Sequence, residues 1–201
     1  MKHQPLAVAL LSLLATAVAA QDDRIVFVDG KVVTGARVDA FDIRSLRYNK
    51  SGRDETASAD QVAKVELAKF KEVYRRGIRD ADMMLTVARE QLAAKETLMA
   101  QFGFVGAAAQ FFDTDRAPEG VATLDELAKS IPEAGVLPEV YRQKFEYYMG
   151  LGGRGASSAL QVAKKYQNDA IGGAWPTGLS IEAEFFVALA DRGTPAEFQN
   201  K

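Results

Sequence analysis

The sequence predicts an α+β protein: a five-stranded small β-barrel over residues 24–67, packed against an all-helical region of about seven helices over 69–192. Three observations carry that expectation. Residues 25–38, IVFVDGKVVTGARV, hold two apolar runs around Asp29-Gly30, a pair that supplies the positive backbone angles of a tight hairpin. From Lys69 onward the apolar spacing changes from alternation to the three-and-four spacing of helices. No low-complexity linker divides the two regions, so one compact unit is expected.

Residues 1–20, MKHQPLAVALLSLLATAVAA, read as an export signal: Lys2 at a positive amino end, an apolar run from Leu6 to Leu14, and small residues up to Ala20. Val18 and Ala20 suit the signal peptidase, so cutting is expected after Ala20, with Ala19 as second choice. The run is short of the roughly 20 apolar residues a membrane span needs, and no Cys follows it to carry a lipid. The expected product is exported, periplasmic or extracellular, with no transmembrane segment after cleavage.

The strands follow in order. Ile25–Val28 and Lys31–Ala40 form the hairpin, and Gly35 inside the second strand marks a sharp bend of the kind a small barrel needs. Leu46 and Tyr48 alternate with Ser45 and Arg47 in a third strand, and residues 49–52, NKSG, turn the chain. Residues 53–58 make a fourth strand, SADQ a tight helical turn, and 62–67, VAKVEL, a fifth with Ala63, Val65 and Leu67 on one face. This spacing resembles an Sm-like small β-barrel. Such barrels often bind RNA in the cytoplasm, but here basic and acidic residues interleave nearly in balance, so nucleic acid is not an expected partner. A region of this size buries little surface alone. The apolar first strand is therefore expected to pack against the helices.

Helices are expected near 69–80, 82–94, 96–112, 124–131, 138–149, 156–169 and 179–191, with 193–201 as a carboxyl-terminal tail. Thr123-Leu-Asp-Glu126 reads as a capping box, Pro132 as a stop and Pro138 as a first-turn proline. Residues 114–120, TDRAPEG, and 172–178, GGAWPTG, read as loops. The segments TVAREQL, ELAKSIP and QVAKKYQ superpose on Ala88, Ala128 and Ala163, and Tyr74 with Gly77 repeats the spacing of Tyr147 with Gly150. Those positions resemble a divergent tetratricopeptide-type array of helical hairpins over most of 70–192. The resemblance implies a concave groove that takes a protein or peptide.

Composition narrows the chemistry. The chain has no Cys, and His3, in the export signal, is its single His. The product after cleavage therefore lacks disulfides, thiol and imidazole nucleophiles, and zinc or copper sites built on them. The formal net charge of −2 calls for neither nucleic acid nor an anionic membrane. GLGGRG at 150–155 has dinucleotide-turn spacing, but Tyr141, Phe145 and Tyr148 before it share a helical face, and too little chain follows to complete that fold. Asp113, Asp115 and Glu119 lack the glycine and terminal Glu of a calcium loop. Glu182 with Glu184, and Asp54 with Glu55, read as surface charge.

No cofactor, metal or catalytic constellation is thus expected. The reading is a non-enzymatic interaction module of the cell envelope that binds a protein or peptide, with Arg142, Tyr147 and Arg154 as candidate groove residues. A cell-wall or glycan binder using the barrel or the Trp175 loop is the alternative, and a carboxylate-dependent hydrolase a distant third. Trp175 is expected to plug the gap between the last two helices rather than stand free.

Overall fold

The computed structural model describes residues 22–192; the segment expected to be an export signal and the expected tail at 193–201 lie outside the described residues. Five antiparallel strands come first: β1 (Asp23–Phe27), β2 (Val32–Phe41), β3 (Ser45–Lys50), β4 (Arg53–Ser58) and, after a 3-10 turn at Ala59–Gln61, β5 (Val62–Glu66). The helices are α1 (Phe70–Val73), α2 (Ala81–Ala93), α3 (Thr97–Asp113), α4 (Ala117–Ser130), α5 (Leu137–Gly150), α6 (Ala156–Gly172) and α7 (Thr177–Asp191). The α+β class and the order of its two regions are as the sequence predicts.

The sheet runs β4-β3-β2-β1-β5. Gly30 turns the first hairpin at φ +86°, and Gly35 sits in β2 at φ +70°, where a side chain would strain the backbone. Ile25, Phe27, Val33, Val38, Leu46 and Tyr48 fill the sheet's inner face. The edge strands β4 and β5 do not pair with each other, so the expected closed barrel is an open sheet. Phe70, Leu98, Met99 and Phe102 from the helical side pack against that inner core, and the apolar cover they supply removes the need for closure.

The sheet docks through the end of β2 as well as through the core that Ile25 and Phe27 of β1 share with Phe70, Leu98, Met99 and Phe102. Phe41 stacks on Phe102 at 6.3 Å, and Ile43, 2% exposed, belongs to the helical core. Backbone bonds Ile43 N–H to Glu133 O (2.9 Å) and Gly135 N–H to Phe41 O (3.3 Å) tie the β2–β3 corner to the α4–α5 connection. β1 lies between β2 and β5, turning Ile25 and Phe27 into the core that the helical side covers, while Val28 stays exposed.

Consecutive helices pack side by side in two groups, α2-α3-α4 and α5-α6-α7. Phe104, Phe111, Leu124 and Leu127 centre the first core; Tyr141, Phe145 and Tyr166 centre the second. Three boundaries differ from expectation. The first helix stops at Val73 because the chain turns at Gly77, whose missing side chain lets it lie on the backbone of Met84: an added Cβ would stand 2.5 Å from that amide nitrogen. α4 begins at Ala117, with Pro118 in its first turn, so Thr123 and Glu126 lie inside the helix and do not cap it. α6 and α7 shorten the GGAWPTG loop to residues 173–176. The repeat positions also diverge, since Gly77 makes a close approach whereas open space surrounds Gly150.

Candidate functional site

The outer edge of β5 is where backbone, apolar surface and charge meet. β4, the other edge, reads RDETAS, and its charged residues discourage strand addition. β5 reads VAKVE and lies under two clefts of about 800 and 520 Å³. Residues 65–68 line the larger and 62–65 the smaller. Val65 and Phe102 border both clefts, which adjoin as a groove along seven consecutive residues, roughly 23 Å of extended chain. The larger part of this groove reaches past β5 to Asp23 and Arg24 of β1 and Thr34 and Gly35 of β2.

Each wall follows from local sequence. α3 is apolar on nearly every side, and after burying Phe104, Ala107 and Phe111 it still turns Phe102 and Val105 to the groove. Pro138, in the first turn of α5, starts the helix that carries Glu139 and Arg142 to the opposite side. α7 starts beside the 3-10 turn because the amide of Gly178 donates to Asp60 at 3.0 Å. Val28, 65% exposed, extends the apolar floor outward.

Arg142 is the one sequence-predicted residue that the fold brings to this groove. Its guanidinium binds Glu182 in a two-pronged pair, Nε to Oε1 at 2.5 Å and an η nitrogen to Oε2 at 2.7 Å. Tyr166 donates to the same Glu182 at 3.3 Å. The carboxylate raises the guanidinium's pKa further, so Arg142 is a fixed cation at the rim. Tyr147 is turned away, against Phe112 at 5.4 Å and Tyr148 at 5.1 Å. Arg154 is exposed in the 3-10 turn between α5 and α6, with no ion pair among the described residues.

Trp175 packs between Tyr141 (6.3 Å) and Tyr166 (6.0 Å), where it touches both helical cores. The two tyrosines stack at 4.7 Å, and Tyr141 donates to Asp169. Burial, and then that bond, raise the Tyr141 pKa far above 10.0; burial does the same for Tyr166. A phenol held neutral is the opposite of an activated nucleophile. The smaller cleft's carboxylates are engaged too: Glu182 by Arg142, Glu139 by Gln143 at 3.0 Å, and Asp60 by Ser58 and Gly178.

Sequence reasoning missed Val28, Val62, Val105 and Phe102 as neighbours of one groove. The signal for half of it was present, since both VAKVEL and QFGFVGAAAQFF carry more apolar residues than one buried face uses. Among the described residues no helix is long and apolar enough to cross a membrane, and no three acidic side chains gather as a metal site would require. The groove defines the chain as an α+β protein with a sheltered, unpaired strand edge. No family model matches it, nor does any curated protein or solved structure.

Proposed function

We propose that this protein is a non-enzymatic interaction module of the cell envelope, and that it holds an extended segment of a partner polypeptide against the outer edge of β5. The observation that carries the reading is the groove along residues 62–68: an edge strand offers unpaired backbone N–H and C=O groups, and apolar walls stand on either side. Strand addition draws affinity from main-chain hydrogen bonds and specificity from pockets that take alternate side chains. The exported location rests on residues 1–20. The Sm-like reading draws support from the short antiparallel strands, the 3-10 turn before β5 and the glycine in β2. The tetratricopeptide-like reading draws support from neighbour-to-neighbour packing within each helical group.

The test is selection from a library of extended peptides with the mature chain, followed by titration of those enriched. Val28→Asp, at an exposed position, is expected to weaken binding about tenfold or more with an unchanged melting temperature, while Tyr147→Ala and Arg154→Ala leave binding intact. Failure to enrich any peptide, or indifference to Val28→Asp, would sink the reading.

A wall-glycan role is the second reading. A shallow depression of about 450 Å³ beside Trp175, Tyr141, Asn168 and Asp169 favours it, because aromatic faces with polar neighbours suit sugars. Loss of co-sedimentation with purified wall material in Trp175→Phe, at wild-type stability, would support it; a wild-type chain that stays in the supernatant would remove it.

A further inference from the structure

The outer face of α7 carries a seam that nothing in the structure explains by folding. Gly178, Ile181, Phe185, Ala188 and Arg192 follow one another at steps of three and four, the spacing of a helix-packing seam. Ile181 and Phe185 are each 61% exposed, although α7 already buries Leu179, Ala183 and Ala190 on its opposite side. A helix that ends a stack ordinarily shows water a polar face. Here Ile181 and Phe185, at the middle of that face, are apolar.

We infer that two copies of this chain pair through α7, antiparallel, about a two-fold axis near Phe185. The argument for a second copy is charge complementarity. In an antiparallel pair centred at Phe185, Arg192 of one copy stands level with Gly178 of the other, because both lie seven residues from the centre, about 10 Å along the helix. Asp60 sits directly beside Gly178: its carboxylate accepts the Gly178 amide at 3.0 Å and the Ser58 hydroxyl at 2.6 Å, and it keeps lone pairs for another donor. The symmetry therefore creates two Arg192–Asp60 pairs, one at each end of a seam of Ile181, Phe185 and Ala188. A partner offering only apolar surface would leave that end charge unused, and an anionic membrane would meet Glu184 and Asp191 beside the seam.

The inference stands apart from the peptide-binding reading, but it bears on it. Asp60 and Gly178 line the β5 groove, so the partner's Arg192 would sit at the groove mouth of its neighbour.

The experiment is sedimentation velocity on the purified mature chain across a micromolar concentration series. A monomer–dimer equilibrium is expected, weakened about tenfold or more by Phe185→Glu with the circular dichroism spectrum unchanged. Arg192→Asp and Asp60→Arg are each expected to weaken self-association. Mixing those two variants should restore a dimer, because each then supplies the charge the other lacks. A chain that stays monomeric throughout would overturn the inference, as would a dimer indifferent to Phe185→Glu or a mixture no tighter than its components.

Discussion

The side-chain amide of Gln101, 2% exposed in α3, donates to the carbonyl of Phe41 at 3.1 Å and so bonds the end of β2 to the centre of the helical region. Its oxygen accepts the amide of Val136 at 3.3 Å, where α5 begins. A single buried side chain thus satisfies backbone groups from the sheet and from a second helix. Gln101→Leu should keep the volume and strand the Val136 amide, while Phe41 O retains its bond from Gly135. The expected cost is about 1–3 kcal/mol, read from urea denaturation. An unchanged midpoint would show that water replaces the amide.

Ile43 and Phe41 imply that the helices do not stand alone. Both belong to the sheet region, yet they pack into the helical core, while Leu98, Met99 and Phe102 cover the sheet. Deleting residues 24–67 should expose that apolar surface and make the remaining chain aggregate in size-exclusion chromatography. A monodisperse, cooperatively melting fragment would contradict this.

Trp175 separates a packing role from a ligand role. Wedged between Tyr141 and Tyr166, it is expected to cost about 3 kcal/mol when replaced by Ala, because the neighbouring helices refill so large a gap only in part. A thermal melt of Trp175→Ala measures this, and a melting temperature equal to wild type would mean that the indole bears no packing load.

Stability should fall in alkali. Tyr141, Tyr166 and Tyr74 are held above their ordinary pKa of 10.0, chiefly by burial, and Tyr48 is pushed up to about 12 by burial and by Glu55. The folded state therefore binds these protons more tightly than the unfolded chain. The stability this contributes is complete below pH 10 and declines as pH rises past 10 toward the folded values. Melting temperatures should drop progressively above about pH 10, and Tyr141→Phe should flatten the fall. A melting temperature constant to about pH 12 would refute the assignment.

Much of the fold was legible because it is local. Asp29-Gly30 makes its hairpin from two residues' backbone preferences, and Phe104, Ala108 and Phe111 declare a buried helix face by spacing alone. Two helix boundaries fell elsewhere than the spacing predicts. Gly77 ends the first helical segment by lying on Met84, and Pro118 starts α4 upstream of a capping pattern that Thr123 buries. Of the site, Arg142 was legible as a cation beside the aromatic face of Tyr141, Phe145 and Tyr148. Tyr147 was not separable from it, since both sit on α5 and only the packing of Phe112 shows which way Tyr147 faces.

The sequence by itself determined the class, the order of strands and helices, and the exclusion of thiol and imidazole chemistry in the chain after residue 20, because these depend on residue identity and short-range spacing. Tertiary structure alone decided that the sheet stays open, that the end of β2 enters the helical core, and that β5 borders a groove. Each depends on which surfaces face one another across more than 30 residues of chain, as in the Gln101–Phe41 bond with its separation of 60, and no local pattern encodes such a pairing.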